Sequence, residues 1–259
     1  MILSMNWELL DISILWPAFI AGLIVLSTHV PLGQRVLARG IIFIDLAIAQ
    51  IAALGVIAAQ FAGWEAHGFA TQAAAAVAAL LGAALLSWTD TRWPQKQEAL
   101  IGSLFVLAAT AAIILLASNP HGSEHLKELL VGQILWVSPS QLLPAAVLSA
   151  LLLAIIVKHP EQSKGFSFYA IFALAITQSV QLVGVYLVFA SLIIPALATD
   201  HLAGRNRHIV ALLVGVVGYA LGLAASALWD LPSGAMIVWA LALIGLAGRA
   251  LVGSAPAPG

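Results

Sequence analysis

One carboxylate, Asp45, stands inside a strongly apolar stretch, Ile41-Ile-Phe-Ile-Asp-Leu-Ala-Ile-Ala-Gln-Ile-Ala-Ala-Leu-Gly-Val56. An acid in such a setting is costly unless it is paired or faces water, so by default it marks a route for an ion or a proton. The structural alternative is an acid at an interface that caps a helix, favours its dipole or pairs with Arg39. Gln50 follows five positions later, roughly 140° around a helix of about 3.6 residues per turn, so the two do not share a stripe. A cation held by Asp45 must therefore find its other ligands on different helices. The candidates are Gln178, Gln181 and His29. Each also reads as an interhelical hydrogen-bonding group, the common use of buried polar side chains in bundles.

A second constellation, His121-Gly-Ser-Glu124-His125, matches the H-x-x-E-H pattern of zinc peptidases. It sits in a gap between apolar runs, with no helical run to aim both imidazoles, which excludes that catalysis. Imidazole and carboxylate would suit a weak surface site for a divalent cation, and a plain solvated loop is the competing reading. With no cysteine there is no disulfide, thiolate metal site or cysteine nucleophile. No G-x-x-x-x-G-K-[ST] segment occurs, so any ATP must be bound by another chain. No set of nucleophile, base and metal ligands converges in the apolar runs, which argues against a membrane enzyme.

The elements that carry these residues are membrane spans. The chain is 62% hydrophobic and 8% charged with a mean hydropathy of +1.06, against roughly 45–50% apolar and 25% charged in soluble domains. Apolar runs at Ile14–Thr28, Ile41–Ala62, Phe69–Trp88, Leu100–Ala117, Leu142–Val157, Phe168–Val185, Tyr186–Thr199, Ile209–Leu228 and Ala235–Leu251 approach the roughly 20 residues of a spanning helix. The fold class is all-α: a polytopic transmembrane helical bundle of about eight or nine spans, in one membrane domain, residues 1–259. The stretch Phe168–Thr199 is too long for one span and barely long enough for two, so a broken or re-entrant helix is expected there. The first run lacks a basic start and a small-residue cleavage site and is read as a retained span.

Charge supplies the orientation. Arg35 and Arg39, Arg92 and Lys96, Lys158 and Lys164, Arg205 and Arg207, and Arg249 fall on one side if Phe168–Thr199 crosses out and back, which accounts for nine of the ten basic residues and leaves only Lys127 opposite. The positive-inside rule places that side in the cytoplasm, with the N-terminus outside. The other side gathers Glu8, Asp11, Glu65, His67, His121, Glu124, His125, Glu128 and Asp230, groups that attract cations or simply solvate loops. A net charge of −1 points to no nucleic-acid partner.

Four segments, in order, resemble the permease subunit of the zinc, manganese and iron ABC importers. They are Val30-Pro-Leu-Gly-Gln-Arg-Val-Leu-Ala-Arg39 leading into Asp45–Val56, Leu130-Val-Gly-Gln-Ile-Leu-Trp-Val-Ser-Pro139, Gln181–Thr199, and the closing spans around Trp229-Asp-Leu-Pro-Ser-Gly234. The resemblance implies a type II ABC importer-like permease of the bacterial inner membrane, working as a homodimer with a cytoplasmic ATPase dimer and a soluble binding protein that delivers metal from outside. It implies a transported divalent metal, zinc or manganese, and no resident cofactor. It also implies that Glu161, Gln162, Ser163, Lys164 and Gly165 form the element that couples to the ATPase.

The departures are specific. The family pairs Asp and His four residues apart on its second helix, one above the other on one face. Registered on Leu54-Gly55-Val56, Gln50 stands where the His belongs and Leu46 where the Asp belongs, with Asp45 one step early; Gly132-Gln133 replaces Gly-Asp. An amide is a poor substitute for imidazole on zinc or manganese. Three transport readings stay open: a divalent-metal importer, an ABC permease for a metal chelate or small organic solute, and an ion-coupled secondary carrier using Asp45.

Overall fold

A computed structural model describes residues 12–65, 68–116, 130, 132, 134–158 and 165–252. Among these residues there are nine α-helices and no strand: α1 (Ile12–Arg39), α2 (Ile44–Phe61), α3 (Phe69–Arg92), α4 (Gln97–Leu116), α5 (Pro139–Lys158), α6 (Gly165–Val183), α7 (Val185–Ala198), α8 (Gly204–Trp229) and α9 (Ser233–Val252). Eight are long and apolar enough to cross a membrane, and α7 is a shorter apolar helix. Large hydrophobic side chains such as Leu81, Leu107, Ile114, Leu143 and Leu246 stay exposed, the surface that lipid rather than water would cover.

Two helices run farther than the apolar pattern predicts. α1 continues past Thr28 for a total of 28 residues, carrying Arg35 and Arg39 on the helix itself. Pro31 does not stop it, because Val30 before it and Leu32 and Val36 after it are buried and repay the lost hydrogen bond. α8 likewise begins at Gly204 and includes Arg205 and Arg207. The expected interruption of Phe168–Thr199 is present: α6 ends at Val183, Gly184 adopts φ +82°, and α7 restarts at once.

The chain divides into two compact units. One is built from the residues up to Ala38, Val131–Ala150 and Leu182 onward. Within it α9 packs on α8 and α7, and glycines allow backbone-close approach: a Cβ on Gly33 of α1 would strike the Leu192 carbonyl of α7, and one on Gly222 of α8 would strike the Ile237 backbone of α9. Such small-residue seams are how helices associate where lipid removes the hydrophobic drive. Tyr219 and Ser191, both fully buried, share a 2.8 Å hydrogen bond, and Arg249 of α9 binds Asp200 at 2.6 Å and the Leu197 carbonyl at 2.8 Å.

The other unit holds Arg39–Leu130 and Leu151–Gln181. In it α2 lies between α3 and α4. Gly55 of α2 faces Ala74 and Ala78 of α3, and Gly82 of α3 faces Ile48 and Ile51 of α2, with room for no Cβ on either glycine. Ile57, Ala112 and Leu116 form the α2–α4 contact farther along. Gln97, almost fully buried at the start of α4, donates to the Leu86 carbonyl (2.9 Å) and the Tyr169 hydroxyl (3.1 Å) while accepting from Thr89 (2.9 Å). One amide thus joins α3, α4 and α6. The Arg39 guanidinium rests 4.0 Å from the centre of the Phe168 ring, a cation–π contact.

Candidate functional site

Asp45 occupies the first turn of α2 and is 1% exposed. Neither carboxylate oxygen has a hydrogen-bond partner of good geometry, although the N–H groups of Asp45 and Leu46 lie close enough to favour its charge. Of the structural alternatives for this acid, pairing with Arg39 fails and the helix-dipole reading stands. Arg39 stacks on Phe168 rather than pairing with it, and the helix is preceded by Phe43, with no side-chain cap. What remains is a favourable place for negative charge at a helix N-terminus and two bare oxygens out of contact with solvent.

Gln50 is also buried on α2, at 4% exposure, a little over one turn beyond Asp45. Gln178 and Gln181 lie on the last turns of α6, the first half-buried and the second exposed. Exposure of Gln181 weakens its part in a ligand cage within its own unit. The four belong to the second unit, whereas His29 belongs to the first.

His29 is completely buried on α1. Its Nδ1 faces the Thr28 hydroxyl at 3.2 Å and the Val25 carbonyl, and Thr28 in turn donates to Val25 at 3.1 Å. These acceptors place the ring hydrogen on Nδ1 and leave Nε2 as a lone pair, an assignment made from the hydrogen-bond network. Nε2 is buried and unpartnered. A neutral imidazole with one nitrogen oriented by protein and the other bare has the donor state of a metal ligand.

The structure adds groups that the apolar pattern did not single out. Glu98, in the first turn of α4, accepts from the Phe43 N–H at 3.3 Å through Oε1, and its buried Oε2 has no partner. Thr177 and Ser179 of α6 are buried with unpartnered hydroxyls. The polar run Thr177-Gln-Ser-Val-Gln181 was the signal for the latter pair; Glu98 gave none, because it reads as loop charge beside Lys96. Among the described residues no three His, Cys, Asp or Glu side chains cluster as they would around a metal ion.

Other expected sites fall outside the description. His121, Glu124 and His125, Gln133, and Glu161, Gln162, Ser163 and Lys164 lie outside the described residues; Gly165 starts α6 with φ +62° and is exposed. Gly132 is described, with φ +70°, and a Cβ there would collide with the Val183 carbonyl and the Gly184 nitrogen. The second and third segments of the resemblance therefore touch at the break between α6 and α7. A separate cleft of about 530 Å³ in the first unit, lined by Trp16, Trp136, Val137 and Asp230 among others, is mostly apolar.

PsaBC from Streptococcus pneumoniae, solved in complex with Fab, has a similar fold: TM-score 0.71 at 21% identity, covering 93% of this chain and 92% of that one. A metal-chelate type ABC transporter in an inward-facing conformation matches with TM-score 0.57 and 17% identity over 92% of this chain and 84% of that one. At these identities the likeness is one of fold. The model of the ABC 3 transport family matches residues 11–162 and 159–251, nearly the whole sequence, and the chain belongs to that family, as a multi-pass membrane protein with the fold of an ABC permease.

Proposed function

We propose that the chain is the membrane-spanning permease subunit of an ATP-binding cassette transporter that imports a divalent metal ion across the bacterial inner membrane, zinc first and manganese second. The observation that carries this reading is Asp45, a buried carboxylate with two bare oxygens at the mouth of a spanning helix. Such a group is retained in a membrane protein where it meets a cation. His29 supports the same reading, since imidazole suits zinc well. Metal is cargo here, and the chain keeps no resident cofactor. In this reading two copies pair, an ATPase dimer in the cytoplasm grips the segment Glu161–Gly165, and a soluble binding protein delivers the ion from outside.

A second cargo, a metal chelate, is favoured by one residue. Gln50 presents an amide where the family places imidazole, and an amide recognises a carbonyl or hydroxyl of an organic ligand better than it holds bare zinc. Reconstitution with the neighbouring ATPase and binding protein separates the two. Uptake of free zinc or manganese, abolished by Asp45→Asn with insertion intact, supports the ion; uptake only of chelated metal supports the chelate. Full uptake by Asp45→Asn removes Asp45 from the route.

A further inference from the structure

Asp45 is not alone at the mouth of α2. The Phe43 N–H fixes one oxygen of Glu98 two residues before Asp45 in the chain, and Glu98 is near enough to Asp45 to act on it electrostatically. α2 and α4 pack together in one unit, so their first turns carry both acids side by side. Three carboxylate oxygens there, Oδ1 and Oδ2 of Asp45 and Oε2 of Glu98, are buried and without a hydrogen-bond partner. The nearest basic residues in the chain are engaged elsewhere or turned to solvent: Arg39 is held on Phe168 and Lys96 is exposed. The neighbouring Gln97 cannot help, because its amide is used by Leu86, Thr89 and Tyr169. Like charges placed together out of water repel, and such a pair is relieved either by a proton on one acid or by a cation between them; a divalent cation would engage all three bare oxygens at once, whereas a single proton engages one.

We propose that Asp45 and Glu98 form an oxygen-only site for a divalent cation where α2 and α4 begin. The donor set contains neither imidazole nor thiolate, which suits hard cations and holds zinc loosely. That weakness fits its place. Arg39, Arg92 and Lys96 precede these helix starts, the pattern of a cytoplasmic face, so the site is the exit station, from which the ion leaves, and the selective ligands lie earlier on the route. The exit role rests on the transport reading above; the binding site itself does not.

The test uses the purified full-length chain in lipid nanodiscs and Mn²⁺ as the probe, with free ion followed by electron paramagnetic resonance. The expected result is binding that Ca²⁺ and Mg²⁺ displace, weakened at least tenfold by Glu98→Gln and by Asp45→Asn, weakened less by Glu98→Asp, and unchanged by Tyr219→Phe. Absence of bound Mn²⁺ in the wild type, or equal affinity in Glu98→Gln and the wild type, overturns the site. Each variant is checked for monodispersity, and Glu98→Asp keeps the charge should Glu98→Gln misfold. The two readings fail separately. Loss of uptake in Asp45→Asn with Mn²⁺ binding unaffected by either acid substitution leaves the transport reading and removes this site; Mn²⁺ binding lost in both, with uptake intact, does the reverse.

Discussion

Two interruptions of helical continuity, the break at Gly184 and the mouth of α2, are built on opposite principles. At the break the chain fills every space. Gly132 presses its backbone onto Val183 and Gly184, and the Gly184 carbonyl already accepts from Val188 at 3.1 Å. At the mouth of α2 a buried carboxylate lies within electrostatic reach of another, and three of their oxygens have no partner. Beside it, one residue from Glu98, Gln97 satisfies its amide completely. In the proposed reading, the difference separates polar groups that hold a membrane protein together from those kept for an ion: satisfied groups stabilise by being saturated, and a bare buried acid is costly to keep without a function.

The largest expected effect breaks the closed side of the comparison. Gly132→Ala puts a side chain at φ +70°, a left-handed conformation that costs about 1–2 kcal/mol for an L-residue, and drives its Cβ into the Val183 carbonyl. Overpacking adds roughly 1–3 kcal/mol. The folded yield should fall sharply, with a loss of about 3 kcal/mol in thermal or denaturant unfolding in detergent; a variant as stable as the wild type would show that the break is loosely packed.

The next effect is on the satisfied amide. Gln97→Ala removes three hydrogen bonds, one of them to the Tyr169 hydroxyl. At roughly 0.6–1 kcal/mol for each bond within a membrane bundle, the loss should be about 2 kcal/mol. Cation binding and transport per folded molecule should be unchanged, and a selective loss of either would place Gln97 with its neighbour Glu98 rather than with the scaffold.

Much of this arrangement is legible in the residue order. The spans follow from apolar length alone, and the break followed from Phe168–Thr199 being too long to cross once and almost too short to cross twice; α6 and α7 meet inside that stretch. Asp45 stood out because it is an acid surrounded by Ile and Ala. What stayed hidden depends on packing. Glu98 and Gln97 look like the solvated start of a helix next to Lys96, and only the seating of α4 on α2 and α6 buries one and turns the other toward Asp45. The length of α1 was hidden for a local reason: the apolar run breaks off at Thr28, yet buried Val30, Leu32 and Val36 on either side of Pro31 carry the helix through.

A smaller effect sharpens the contrast within the first unit. Tyr219→Phe deletes a single buried hydrogen bond, while Ser191 retains its own bond to the Leu187 carbonyl at 2.6 Å. Because the hydroxyl partner is not stranded, the loss should be only about 0.6 kcal/mol, typical of such bonds in helical membrane proteins. A loss near that of Gln97→Ala would mean that Tyr219 acts through the packing of its ring on Gly22, and Tyr219→Leu would then be much worse than Tyr219→Phe.

The smallest effect on stability is expected where the effect on function is total. Asp45→Asn keeps the shape of the side chain and removes a buried acid for which no balancing cation is seen among the described residues. Loss of the favourable helix-dipole contact costs roughly 0.3–1 kcal/mol, and relief of charge burial and of repulsion from Glu98 offsets it. The unfolding free energy should therefore stay within about 0.5 kcal/mol of the wild type or rise above it, the balance of those opposing terms. Uptake should nevertheless be abolished, as expected for a group kept for an ion. A marked destabilisation would show instead that the charge is compensated in the folded protein, so that Asp45 resembles Gln97 and belongs to the structure rather than to the route. Adding divalent cation sharpens the comparison: it should raise the unfolding temperature of the wild type by mass action and leave Asp45→Asn unmoved.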